Sequence, residues 1–449
     1  MNNTIDVAFW ATALGNLAAG YNLSVVGHML GFIEKSGVPL EESEESMVAT
    51  SGLLGTLMGQ IVFGYLALAI GLRRGLGLCF AIVGIGAFLS SLAIWHDEIL
   101  VKLAVCRLIT GFGIGGVFPI SAVLAAEGKN NVNSKSRVIH SFAFQVWGQL
   151  LSSVTALILN TIMPSAPSIS WRLCGLIGLF PSLLSVVLVV HARRNRNTLN
   201  EHVQVQSLEG IVEEDELDSD DEVDISLKEK KSGTRWSSQN MFKLAGTAGS
   251  WFLFDLVYYG NIIFAPFVLK VVFTGAEDEY VLELSTLLGV VSLPGVYLAC
   301  FFIDAWGPKK MQLFGFSTLL LLFTLVSISL AQEVHSNGHK VLLFALYCGT
   351  FFFYNFGPNS TTFILPGQAF GASESPFFGG LSAASGKSGA LIGSALFKWM
   401  LDQFGVLSVM ICCIIICSVA LVFTFFFVEK DRLGLSNAEV KEISMVEIA

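Results

Sequence analysis

Three ionisable side chains stand isolated in long apolar stretches, where a charge is costly unless it is paired or faces a cavity. Asp255 lies in SWFLFDLVYYGN, Lys387 in LSAASGKSGALIG and Arg107 in RLITGFGIGG. Trp251 precedes Asp255 by one helical turn and Tyr259 follows it by one, so the three share a helix face. A carboxyl in such surroundings can serve as a proton carrier near neutral pH. A lysine flanked by Ser385, Gly386, Ser388 and Gly389 has room around its ammonium and attracts an anion in a low dielectric. The alternative is a static Lys387–Asp255 salt bridge, and one pair could serve both ends, closed when empty and opened by a ligand. The glycines at 111, 113, 115 and 116 suit close helix contact, but they do not explain an intramembrane arginine, so Arg107 is assigned a functional role.

The elements that must position these residues follow from composition. Of 449 residues, 53% are hydrophobic and 14% charged, against about 25% charged in a typical soluble domain. The charged surface of a soluble protein this long cannot be built from that set, which leaves a protein that crosses a membrane many times. The apolar runs are continuous rather than alternating, so they are helices and not strands of a barrel. They fall near 7–32, 47–71, 75–96, 101–126, 138–163 and 173–192, then 243–272, 284–304, 311–331, 340–366, 378–402 and 406–428. The fold class is therefore all-α, with twelve transmembrane helices in two six-helix bundles, 1–192 and 242–428. Between them, 193–241 reads as an acidic, disordered linker with nine acids between Glu213 and Asp224, and 429–449 as a tail.

Orientation follows from the cations, which short cytoplasmic loops retain. With the N-terminus inside, eighteen of the 26 lysines and arginines face the cytoplasm and five the other side. Both termini and the linker are then cytoplasmic, and Arg107 is placed toward that side of the N-terminal bundle. The first apolar run lacks a basic region before it and is expected to remain as the first span. The eight cysteines sit in or beside apolar segments without paired spacing, so neither a disulfide framework nor a metal site is expected. No cofactor and no nucleic-acid partner is expected either, and the absence of a nucleophile, metal cluster or nucleotide loop argues against an enzyme. Ser219, within the acidic run, reads as part of a solvated spacer before it reads as a kinase site.

Six plus six helices is the layout of the major facilitator transporters. An internal repeat agrees with it: LALAIGLRR and FFIDAWGPKK each place two cations just after a glycine, so Gly71 corresponds to Gly307. In the facilitator pattern an acid three residues before that glycine pairs with basic residues and locks one conformation. Asp304 fits, whereas Leu68 does not.

The segments GTAGSWFLFDLVYYGN, LPGVYLACFFID, FFFYNFGPNSTTFILP and LSAASGKSGALIG, together with RLITGFGIGGVFPISAVLAAE, resemble the phosphate:proton symporter family of fungi and plants, in the same order and spans. The resemblance covers nearly all the chain outside the linker and termini. It implies a phosphate site between the halves and nominates Gln145, Trp251, Asp255, Tyr259, Asn355 and Lys387 as ligand or gating positions, with Asn359 a second amide nearby. It also implies alternating access; the proton-coupling or gating positions are then Asp255, with Arg107 and Asp304 from the facilitator pattern and Glu127 as a substitute acid.

Two departures stand out against that resemblance. Asn22 occupies a first-span position where relatives have an acid, and Val117-Phe118 stands where they have Asp-Tyr. Pro366 to Gly371 reads PGQAFG where an acid and a second proline are expected. A less anionic cavity still accepts an anion, but proton coupling then rests on Asp255, with Glu127 or His28 as substitutes. His28 is six residues from Asn22 and so lies on a different face of the helix. The expectation is an integral, multi-pass transporter of inorganic phosphate, placed in the plasma membrane rather than an organelle, whose partners are the small-molecule substrate and the lipid bilayer. The alternatives are a facilitator of another small solute, such as an organic anion or sugar, and a phosphate-binding nutrient sensor with little flux.

Overall fold

The computed structural model describes residues 7–92, 98–126, 134–191, 236–273, 275, 277–332, 336–370 and 374–429. Among them the apolar runs form twelve long helices. In the first half these are α1 (Val7–Lys35), α2 (Glu42–Ile70), α3 (Leu72–Leu92), α4 (Ile99–Ala126), α5 (Ser134–Ile162) and α6 (Pro167–His191). In the second half they are α7 (Ser238–Val272), α8 (Asp278–Trp306), α9 (Pro308–Ala331), α10 (Asn337–Ala369), α11 (375–404) and α12 (406–427). The last two run on as Ser375–Phe427 and are separated by Gly405, whose φ of +74° no helix contains.

At about 1.5 Å per residue, the 29 residues of α1 exceed the thickness of a bilayer's hydrocarbon core. Large apolar side chains point outward on most spans, with Phe301 77% exposed, as expected where lipid rather than water is the solvent. The chain is a multi-pass membrane protein. Its helices alternate in direction, so residues 7, 191, 236 and 428 share one end of the molecule, called here the linker end. The α7 helix begins at Ser238, four residues before the expected bundle boundary, because the Ser237 hydroxyl accepts the Asn240 amide and caps the first turn.

Apolar helices gain little from burying oil against oil in lipid, so their association depends on close packing. Glycines supply it. A Cβ at Gly389 would stand 2.3 Å from the Phe252 carbonyl oxygen and one at Gly393 would stand 2.1 Å from that of Leu256, so α11 lies directly on α7. In the N-terminal half Gly111 and Gly115 press α4 onto α2 in the same manner. The repeat inferred from sequence is visible in backbone geometry: Gly71 and Gly307 close α2 and α8 with φ/ψ of 88°/144° and 73°/159°. Both fall in a region that a side chain rarely enters.

The halves meet along two seams. On one, α5 faces α8, and the Trp147 Nε1 donates to the Tyr297 hydroxyl at 2.9 Å. On the other, α2 crosses α11 at Gly64 and Gly380, where a Cβ on Gly380 would lie 3.0 Å from the Gly64 Cα. A single apolar core runs across the junction and includes Phe118, Phe142 and Val146 of the first half and Trp251, Phe254 and Tyr259 of the second.

Candidate functional site

Four of the residues singled out from sequence meet in one buried cluster. Lys387 Nζ donates to Asp255 Oδ2 at 2.8 Å and to the Tyr259 hydroxyl at 2.9 Å. The Trp251 indole lies beside the same carboxylate. Both charged side chains are almost fully enclosed, 4% and 2% exposed. A pair this dry holds because each ion neutralises the other and the phenol accepts a second ammonium hydrogen.

The helix geometry responsible is local. Asp255 and Tyr259 follow one another by one turn on α7, and α11 brings Lys387 against that turn. The small residues around Lys387 contribute differently from the sequence reading. Gly386 receives the Trp251 ring, since a Cβ there would stand 2.5 Å from its Cδ1, and Gly389 receives the α7 backbone. They draw the two helices together rather than leaving space around the ammonium.

The other two nominated ligands are not bonded to this quartet. Gln145, on α5, is buried with its carbonyl oxygen unpartnered among the described residues. Asn355, on α10, gives its amide hydrogen to the Phe351 carbonyl at 2.9 Å and accepts from Asn359 at 2.8 Å. Asn359 lies inside the span, so its Asn-Ser-Thr sequence is buried, not displayed.

A layer of aromatic rings lies against Lys387 and Trp251. Phe363 of α10 stacks on Phe142 of α5 with centroids 4.5 Å apart, and meets Phe118 and Trp251 edge-on at 6.4 and 6.5 Å. Lys387 Nζ is 5.7 Å from the centre of the Phe118 ring, within reach of a cation–π attraction. At the linker end, a cavity of about 740 Å³ opens between Lys135, Lys243, Thr247, Gln368 and Val428. This layer was not foreseen, since phenylalanines in an apolar span carry no sequence mark that separates a gate from a core.

Arg107 is buried, and its partners are neutral: Ser90 Oγ accepts from Nη2 at 2.7 Å and from Nε at 3.1 Å, and the Asn22 carbonyl accepts from Nη1 at 3.2 Å. It sits eight residues from the start of α4, nearer the end away from the linker. The expectation that it lies toward the linker side is therefore corrected; α4 enters from the opposite face. The Asn22 side chain spans from α1 to α6, donating to the Gly178 carbonyl at 3.0 Å. Val117 is buried among apolar neighbours of α2 and α3.

Asp304, near the end of α8, experiences the charges of Lys135 and His140 on α5, so its electrostatic partners belong to the other half. His28 contacts Ser153 at 3.3 Å, away from the Lys387 cluster. Glu127 and the acidic linker with Ser219 lie outside the described residues. Sequence reasoning also missed Gln149 and Tyr258, which join α5 to α7 beside the site; each had a nominated residue close by, Gln145 and Tyr259, that drew the attention.

Residues 7–435 match the family model described as sugar (and other) transporter. A probable inorganic phosphate transporter 1-8 of Arabidopsis thaliana is 28% identical over 436 residues, covering 87% of this chain and 81% of that protein. A probable inorganic phosphate transporter 1-12 of Oryza sativa subsp. japonica is 30% identical over 393 residues, covering 77% and 71%. Among solved structures, a proton:xylose symporter of the major facilitator superfamily bound to 6-bromo-6-deoxy-D-glucose superposes with a TM-score of 0.77 at 18% identity, covering 97% of this chain and 98% of that one.

Proposed function

The chain belongs to the sugar (and other) transporter family and has the major facilitator fold, and from that premise we propose that it carries inorganic phosphate across a membrane by alternating access between its two halves. The observation that carries this reading is the Lys387–Asp255–Tyr259 cluster. An ammonium has three donors, and here two are committed to Asp255 and Tyr259. A phosphate oxygen takes the third, and a full anion displaces the Asp255 carboxylate from the lysine.

Displacement leaves Asp255 buried without its counter-ion, a state that a proton relieves. Anion entry and protonation of Asp255 are therefore linked, and one carboxylate supports one proton per cycle. Gln145, whose carbonyl oxygen lacks a partner among the described residues, accepts from a P–OH group, while the Trp251 indole and Asn355 amide orient the remaining oxygens. The names of the similar plant proteins support phosphate as the cargo. A neutral sugar, by contrast, would have no use for a lysine whose charge is already matched.

The cation distribution supports a cytoplasmic linker end with both termini inside, and the membrane we assign is the plasma membrane. Opening then occurs where Phe363 parts from Phe142 and Phe118, and release is into the cavity by Lys135 and Lys243. Arg107 steadies α1, α3 and α4 within the first half, and Asp304 ties α8 to α5 on the cytoplasmic side.

The test is uptake of labelled phosphate by proteoliposomes holding the purified protein, with and without an inward proton gradient, for the wild type, Lys387→Ala and Asp255→Asn. Concentrative uptake that needs the gradient and vanishes in both variants is the expected outcome. Equilibration without accumulation would leave a facilitator. No entry of phosphate, with entry of an organic anion or sugar, would move the assignment to another solute, and binding without flux would make the protein a sensor.

A further inference from the structure

Beside the Lys387 cluster, a chain of polar side chains crosses from one half to the other. The Tyr258 hydroxyl donates to Gln149 Oε1 at 3.4 Å, and the Asn359 side chain lies beside the same phenol. Asn359 in turn donates to Asn355 Oδ1 at 2.8 Å. Gln149 belongs to α5, Tyr258 to α7 and the two asparagines to α10.

Each link is placed by helix periodicity. Gln149 is one turn beyond Gln145 on the same face of α5, and Tyr258 is the immediate neighbour of Tyr259, which holds Lys387. Asn355 and Asn359 lie four residues apart, on either side of the interruption at Gly357 in α10. The Tyr258 ring is fixed by Phe254 and Tyr354, with centroids 5.0 and 5.3 Å away, and the residue is 1% exposed. A phenol pinned in this way cannot follow both halves when they move apart, so its bond to Gln149 breaks in one state of the cycle.

We propose that Gln149, Tyr258 and Asn359 are positioning residues that couple occupation of the site to the movement of the halves. This rests on the phosphate reading only for the identity of the ligand. Without ligand, Asn355 Oδ1 is held by Asn359. A ligand that recruits Asn355 frees Asn359 from the bond between them, shifts Asn359 where it lies beside Tyr258, and so weakens the bond from Tyr258 to Gln149. None of the three needs to touch the ligand. Their effect on affinity is indirect, through which arrangement of the halves is favoured.

Two measurements on the full-length protein test the coupling. The first uses spin labels on Ile162→Cys and Val341→Cys, exposed residues at the end of each half away from the linker, and reads distance distributions in the ligand-free state. Tyr258→Phe and Gln149→Leu should each shift the balance of populations about fivefold toward separated halves, and the double variant should shift it no further. Unchanged distributions, or effects of the two substitutions that multiply, overturn the proposal whatever the substrate is. The second compares equilibrium binding of labelled phosphate with net uptake. In Tyr258→Phe, Kd should tighten by up to about fivefold, the same factor as the population shift, while the maximal rate changes about fivefold or more. Loss of affinity and rate together would show a direct ligand or a merely structural residue. Failure of the wild type to bind phosphate would count against the substrate assignment, and the distance measurement would still decide the coupling.

Discussion

Lys387 and Asp255 lie 2.8 Å apart on two helices of the same half, pressed together where Gly389 and Gly393 receive the backbone of α7. Rocking of the halves leaves such a pair intact, so it is a resident of the C-terminal bundle that a ligand must open, not a clasp between bundles. Asp304 is the contrasting case, since the charges it meets, Lys135 and His140, are on α5 of the other half.

The first prediction concerns that pair. Asp255→Asn strands a buried ammonium and Lys387→Met strands a buried carboxylate, and breaking a buried ion pair from one side costs about 3–5 kcal/mol. The double substitution removes both charges and should recover most of that loss. Thermal unfolding of the detergent-solubilised protein should therefore rank both single variants below the double variant. Uptake should be lost in all three, because neutral side chains restore stability without restoring an anion site. Equal destabilisation by the double variant would mean that the two charges do not depend on each other.

A second prediction addresses the aromatic layer. Phe363 fills the space between Phe142, Phe118 and Trp251. Truncation of a core phenylalanine costs about 3–5 kcal/mol, and here it also removes the plug between the site and the linker-end cavity. Phe363→Ala should raise passive efflux of phosphate from preloaded proteoliposomes several-fold while lowering concentrative uptake. Phe363→Leu, which keeps most of the volume, should restore the seal. A leak that leucine does not correct would place the barrier elsewhere.

Much of this was legible from sequence for physical reasons. Apolar runs long enough to span a bilayer can hardly be other than helices, so the twelve spans followed from cost alone, and a Lys387–Asp255 pair was one of the two readings that the cost of an isolated charge left open. Tyr259 and Trp251 were found because helical periodicity places them on the face of Asp255. Gln149 and Tyr258 were missed because an uncharged polar residue in a span has many acceptable settings, and only the packing of α5 against α7 shows that the two face each other. The depth of Arg107 was misjudged for a different reason: span direction depends on counting every helix from the terminus, and a residue's side of the membrane follows from its place along α4. The role of Gly386 was misjudged because spacing reveals that a residue is small but not what fills the vacated space.

The third prediction tests the internal repeat. Gly71 and Gly307 have matching positive φ values at equivalent turns, and a residue with a Cβ in that region costs on the order of 1–3 kcal/mol. Gly71→Ala and Gly307→Ala should each lower the unfolding temperature by similar amounts, and their effects should add, since the turns are in different halves. A neutral result at either site would mean that its turn relaxes to negative φ without loss.

The fourth concerns Arg107, whose guanidinium relies on neutral acceptors. Ser90 Oγ receives two of its three bonds, so Ser90→Ala leaves a buried cation with the Asn22 carbonyl as its remaining partner among the described residues. An orphaned buried donor costs about 1–3 kcal/mol, and more when charged. Arg107→Lys keeps the charge but cannot present the fork that reaches Ser90 and Asn22 together. Both variants should unfold at lower temperature than the wild type, and Ser90→Thr, which retains the hydroxyl, should come closer to it. Phosphate affinity should be unaffected in Ser90→Ala if Arg107 serves the architecture of α1, α3 and α4. A fall in affinity at unchanged stability would instead place the arginine in the path of the anion.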